Sequence, residues 1–225
     1  MTRWLISSLK GPRRWKLQTR KGQNIEDESM QVIDSEVGPH SYNKLEWPIV
    51  RRMIHATADF DFAGKNKIVF HKDAISSGMS ALKNGCSIIC DVNGLVGFLN
   101  KQNTKDFGNE VICNISKPDV IETAKKEGKT RAEASMRIVA SEMNGGIVAI
   151  GSAPTALYEV IKMVEEGITK PALIIGIPVG FIAAVESKDK LQTTSVPFIT
   201  NIGRKGGSSC AASTINALFK LLREN

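Results

Sequence analysis

The chain is poor in cysteine: four in 225 residues, Cys86, Cys90, Cys113 and Cys210. They form no C-x-x-C pair, and no histidine stands near them at metal-ligand spacing, so neither a zinc site nor a disulfide framework is indicated. Reduced thiols in the cytoplasm and no metal are the expectation. Long apolar runs are also missing. The longest, Pro171 to Val185, is broken by Gly176, Pro178 and Gly180 and falls short of the about 20 residues a membrane-spanning helix needs. No transmembrane segment and no membrane partner are expected. The phosphate motifs are absent too: GRKGGS lacks the spacing of a P-loop and GIPVG that of a dinucleotide site. A nucleotide-binding module therefore has no positive signal. Internal repeats and low-complexity linkers are not seen, and the length and apolar content suit one soluble globular domain.

Acidic residues are missing from one stretch. Arg3, Lys10, Arg13, Arg14, Lys16, Arg20 and Lys21 lie in an acid-free leader; of 30 basic residues these are seven, and the 23 that remain match the 23 acids. The net charge of +7 thus belongs to the leader and gives no reason to expect nucleic acid as a partner of the body. A targeting peptide, a basic arm or an extension from an upstream start are the alternatives. The lack of a sustained helical period and of a cleavage pattern favours the last. The division expected is a leader over residues 1–22 and a single domain over 23–225.

Histidine is scarce as well, with three residues. His40 lies in a Gly-Pro loop and His71 beside a Lys-Asp pair. His55 follows the apolar Met53-Ile54 pair in RRMIHATADFDF, with Arg51 and Arg52 before it and Asp59 and Asp61 after it. A residue whose ordinary pKa lies near neutrality is the natural candidate for proton transfer there. A core histidine held by a backbone carbonyl is the competing reading.

Asn24 is placed to cap a helix IEDESMQVIDSEV with Asp27 at the capping-box position, and Ser41 to start a second, whose Leu45, Ile49, Val50 and Met53 share a face. Five continuous apolar runs follow: CSIICD, EVICN, GIVAIG, PALIIG and PFITNI, at 86–91, 110–114, 146–151, 171–176 and 197–202. They read as buried parallel strands. Between them Asp73 suits a helix ending before Gly85, Pro118 one ending before Gly128, Thr130 and Glu133 a capping box, and Pro154 a helix ending at Gly167. This alternation predicts a doubly wound α/β sheet of five parallel strands with helices on both faces. IVF, residues 68–70, is too short to assign.

Ligands of such sheets bind beyond the carboxyl ends of the strands. The post-strand segments Asp91–Gly94, Asn114–Ser116, Gly151–Thr155, Gly176–Gly180 and Gly203–Ser208 are small, polar or glycine-rich, and three lead into helix starts. Free backbone N–H groups there suit an anion, a phosphate or a carboxylate. Tight turns that need glycine for backbone reasons are the plainer reading of each loop.

RRMIHATAD, GNEVIC, VAIGSAPTALYEV, PALIIGIPVGFIAAVESKDKL and GRKGGSSCAASTINAL, in that order, resemble the precorrin-8X and cobalt-precorrin-8 methylmutases over about residues 25–222. The resemblance implies a flavodoxin-like three-layer α/β/α sandwich. It implies a homodimeric isomerase without external cofactor, moving a methyl group from C-11 to C-12 of a corrinoid precursor in cobalamin biosynthesis. The carboxylates of that macrocycle fit the anion-type loops. By position, His55 matches the general acid that protonates the macrocycle, and Ser29 and Arg131 match residues that contact the corrinoid. Arg52 and Arg204 lie in matching blocks, and substrate contacts are inferred for them. Solvated arginines and a serine covering a helix turn are the plainer alternatives. The chain departs from the pattern in DVNGLVGFLNK after the first strand and at Ser152, where the family usually has Asn. Whether the substrate carries cobalt is not written in the residues. A non-catalytic corrinoid carrier on the same fold is the competing function, disfavoured by the presence of His55.

Overall fold

The computed structural model describes residues 19–224. Residues 1–18 of the basic leader lie outside them. Thr19 begins the described chain as an N-cap, its hydroxyl accepting from Gly22 N at 3.1 Å, and helix α1 runs Arg20–Val37. The start expected at Asn24 is therefore too late: that asparagine is already inside the helix, and the leader drawn to residue 22 overlaps its first turn. Helix α2 is Trp47–Thr57 rather than a helix from Ser41. Asn43 Oδ1 accepts from the amides of Leu45 and Glu46, at 2.9 and 3.1 Å, and turns the chain first. Pro48, with no N–H to give, then sits in the opening turn.

Beyond a 3₁₀ turn, Phe60–Ala63, come β1 Ile68–Phe70, α3 Ala74–Lys83, β2 Ile88–Cys90, α4 Asn93–Phe98, α5 Lys101–Phe107 and β3 Val111–Ile112. They are followed by α6 Pro118–Glu127, α7 Arg131–Ile138, β4 Ile147–Ile150, α8 Pro154–Glu165, β5 Leu173–Gly176, α9 Ala184–Gln192, β6 Phe198–Asn201 and α10 Ser208–Glu224. The Thr130–Glu133 capping box forms, and Asp73, Pro118 and Pro154 each stand at the helix start expected of them.

All five apolar runs hold strands that pair in parallel, in the order β3-β2-β4-β5-β6. The sheet has six strands, however, not five. IVF adds an antiparallel edge on β6, with Ile68 opposite Asn201 and Phe70 opposite Ile199. A three-residue strand shows too few alternations to declare itself, and it is held largely from outside. Tyr42 Oη accepts from Ile68 N at 2.9 Å.

Alternate strand residues point to opposite faces. Ile88, Cys90, Ile147, Ala149, Leu173, Ile175 and Ile199 pack with residues of α1, α2, α3 and α10; Ile89, Val148, Ile150, Ile174 and Phe198 pack with those of α7, α8 and α9. The chain leaves β2 outward to β3, then returns to β4 and proceeds outward the other way. The crevice of the sheet accordingly lies at the carboxyl ends of β2 and β4.

Candidate active site

Helix α2 buries Ile49, Val50, Met53 and Ile54 against the core and turns His55 outward in its last turn. The helix stops at Ala58, which adopts the left-handed conformation, φ 53°, with its N–H on Ile54 O. The His55 imidazole makes no hydrogen bond or ion pair with any described residue, and the residue is exposed. A core histidine would have such a partner, so that reading is removed. Partial burial of the ring pushes its pKa below the ordinary value; Arg52 and Lys220 push the same way and Glu26 opposes them.

Arg52 is not idle. Its Nη1 lies 2.7 Å from Glu26 Oε1, which also lies 3.7 Å from Lys220 Nζ, while Arg51 pairs with Asp34 at 2.6 Å. Glu26, Arg51, Arg52 and Lys220 line a cleft of about 330 Å³ between α1, α2, α5 and α10, together with Asn216 and Arg223; His55 is not part of its lining. Ser29 lies one turn beyond Glu26 on α1, half-buried, and its hydroxyl donates to Ile25 O at 2.7 Å. That hydroxyl covers its own helix turn, as the plainer reading had it, and can still accept from a ligand.

The carboxyl edge of the sheet is built by one buried acid. Asp91, directly after β2, accepts from Gly151 N at 3.2 Å, Ser152 N at 2.7 Å and Ala153 N at 2.8 Å. Burial raises its pKa against the pull of those three amides. The expected free amides of this loop are thus already occupied. In the next loop Ile177 N donates to Ile150 O, Val179 N to Gly151 O and Gly180 N to Arg204 O. The expectation of a backbone anion site at these two loops is therefore corrected: the amides of Gly151, Ser152, Ala153, Ile177, Val179 and Gly180 are bonded within the chain. Close packing explains the glycines. A Cβ on Gly151 would lie 2.7 Å from Ser208 Cα, and one on Gly206 would overlap Ile177 O.

Arg204 stands exposed on the β6–α10 loop, its guanidinium carbon 5.9 Å from the centre of the Phe181 ring. Its neighbour Lys205 reaches back to the end of α2, with Nζ 2.7 Å from Asp59 Oδ2 and 2.7 Å from Asp61 Oδ2. Below this loop Lys188 is fully buried; its Nζ donates to Asn201 Oδ1 at 3.1 Å and to Lys205 O at 2.9 Å. Burial pushes its pKa down to about 8.

Arg131 is the first residue of α7, exposed, and forms no ion pair or side-chain hydrogen bond with a described residue. A cation is disfavoured at a helix N-terminus, so helix stability does not account for it. The preceding Thr130 hydroxyl touches that of Thr155 at 3.0 Å, which seats Arg131 beside the post-β4 loop. His55, Arg52 and Ser29 share the α1–α2 corner, and Lys205 joins Arg204 to it. Arg131 lies with α7 in the opposite helical layer.

Asp91, Lys188, Lys205 and Glu26 escape a reading of the sequence. One signal was available: Ala184, Lys188 and Leu191 follow the i, i+4, i+7 spacing of a buried stripe, and a lysine within it is out of place. Among the described residues, no three His, Cys, Asp or Glu side chains gather as a metal site, and no helix is long and apolar enough to cross a membrane. All four cysteines are free.

The family model for precorrin-8X methylmutase (CbiC) matches residues 24–221. A cobalt-precorrin-8 methylmutase of Leptospira interrogans is 47% identical over 211 residues, covering 90% of this chain and 95% of the relative. That of Priestia megaterium is 46% identical over 200 residues, with 89% and 88% covered. The crystal structure of a precorrin-8X methylmutase from Thermus thermophilus shares the fold at TM-score 0.84 and 38% identity, covering 90% of this chain and 97% of that one. With a family match over nearly its whole described length, and this fold beneath it, the chain belongs to the precorrin-8X methylmutase family.

Proposed function

We propose that the chain is an isomerase of cobalamin biosynthesis that moves the methyl group of a precorrin-8-type macrocycle from C-11 to C-12, with His55 as the general acid. The observation that carries the role of His55 is its freedom: an imidazole at a helix end, turned from the core, without a hydrogen bond to any described residue. A proton passed from the imidazolium to the macrocycle draws electron density from the conjugated ring. The C-11–methyl bond then breaks as the C-12–methyl bond forms, and the proton returns to the imidazole. Nothing is consumed, as an isomerisation requires, and no cofactor enters the step.

Arg131, unpaired and disfavoured where it stands, is read as a cation for a substrate carboxylate. Arg204 offers a second, and Arg52 a third that shares its charge with Glu26. Ser29 can accept from the ligand. The names of the Leptospira interrogans and Priestia megaterium relatives favour the cobalt-containing substrate for this chain. The enzyme is read as a cytoplasmic homodimer.

The test is turnover of cobalt-precorrin-8 and metal-free precorrin-8, followed by absorbance, with the wild-type and His55→Ala proteins. Wild type is expected to isomerise the cobalt form faster, and His55→Ala to bind product but turn over slowly. Colour uptake by the wild-type protein without isomerisation would make it a carrier.

A further inference from the structure

Helix α2 delivers His55 to the site and is anchored in the core as far as Ile54, but none of His55, Ala56 and Thr57 in its last turn is buried. Ala58 closes the helix in a left-handed conformation, φ 53°, that a non-glycine residue rarely adopts. Two carboxylates follow at once. Asp59 caps the 3₁₀ turn, its Oδ1 accepting from Asp61 N at 3.1 Å, and Asp61 lies alongside. Both face a single ammonium from the far end of the chain, Lys205, which donates to Asp59 Oδ1 at 2.9 Å and to Asp61 Oδ2 at 2.7 Å.

Lys205 is itself fixed at the backbone. Its carbonyl accepts from buried Lys188 Nζ and from Asn201 Nδ2, each at 2.9 Å. The carbonyl before it, that of Arg204, accepts from Gly180 N at 3.2 Å, and the glycine after it is packed against the β5–α9 loop. The contacts form a continuous chain from α9 through the β6–α10 loop to the cap of α2. The ammonium and both carboxylates remain partly exposed, and solvent screening leaves such pairs little weight in folding. Global stability is therefore a poor reason for the arrangement, and geometry a good one.

We propose that Lys205 is a positioning residue for the methyl shift: by clasping Asp59 and Asp61 it sets where His55 stands relative to Arg204 and the loop that carries it. The proposal rests on His55 as the acid. Loss of the clasp frees the end of α2, and a displacement of about 1 Å at a reacting group can cost on the order of 10²-fold in rate.

The experiment is a double-mutant cycle on the full chain, measuring kcat, KM, product affinity and thermal unfolding. Lys205→Met is expected to lower kcat about tenfold or more, with product affinity and unfolding temperature nearly unchanged; Lys205→Arg should restore most of the loss. In the His55→Ala background, Lys205→Met should add no further loss, because a misplaced acid and an absent one are equivalent. Wild-type kcat in Lys205→Met overturns the proposal, as do losses that multiply in the double variant. A kcat loss matched by a loss of folded protein, without rescue by arginine, assigns Lys205 to the scaffold and equally overturns it. Wild-type turnover by His55→Ala removes the acid itself, a different failure, since the single Lys205 variants are then read without His55.

Discussion

At the scale of the residue, the charge on His55 decides the pH dependence. In the free protein, partial burial, Arg52 and Lys220 favour the neutral imidazole, so its pKa lies below the ordinary histidine value. An acid must be protonated to act; kcat/KM, which reports the free enzyme, should fall as pH rises through that lowered pKa. Bound substrate brings carboxylates, which favour the cation, so the fall in kcat should come at higher pH. Parallel profiles of the two constants over pH 5–9 would separate these limbs, and coincident limbs would remove the role given to substrate carboxylates. His55→Ala should lower kcat by about 10²- to 10⁴-fold, the usual contribution of a positioned acid. Arg131 offers a second test at this scale. A charge-assisted pair contributes about 1.5–3 kcal/mol, so Arg131→Ala should weaken product binding roughly tenfold or more in a titration at low salt, with no change in unfolding temperature. Unchanged affinity would leave Arg131 as a surface residue.

At the scale of the element, the strands and most helix starts were legible because their signals are local. A capping box at Thr130 and Glu133 spans four residues, and GIVAIG declares a buried strand by composition alone. The misses depend on distant partners. Asp91 ends a strand, and nothing in CSIICD tells that its carboxylate will hold amides 60 residues later. The glycine-rich loops looked ready for an anion from outside, and the chain had supplied one from within. IVF could not be read for the same reason: its partner, β6, lies some 130 positions away and its N–H is held by Tyr42. This internal anchoring predicts a stability effect. Asp91→Ala leaves three amides without their acceptor, that of Gly151 buried and those of Ser152 and Ala153 part-buried, and a buried group left unsatisfied costs about 1–3 kcal/mol. Urea unfolding should show a loss of about 1–3 kcal/mol, a sizeable share of a typical domain's stability, whereas Asp91→Asn, which keeps one acceptor oxygen, should lose less. Equal unfolding midpoints for wild type and Asp91→Ala would show that solvent replaces the carboxylate.

At the scale of the whole molecule, the groups read as site residues do not close around a ligand. His55 and Arg52 belong to the layer of α1, α2 and α10, and Arg131 to the layer of α7 and α8. Between them the β5–α9 loop thrusts apolar side chains into solvent: Phe181 is 86% and Ile182 87% exposed, with Val179 half-exposed beside them. Contiguous apolar surface of this kind marks a contact face. The homodimer proposed above would seat a second copy of the 24.5 kDa chain on this face. Sedimentation at micromolar concentration should therefore return a species of twice that mass. Ile182→Asp, which places a charge in the patch at no cost to the core, should shift the equilibrium toward monomer and lower activity in proportion as protein is diluted. A wild-type protein that sediments only at 24.5 kDa at tens of micromolar would defeat the dimer. A dimer indifferent to Ile182→Asp would move the seam away from this loop and leave Phe181 and Ile182 facing the ligand instead.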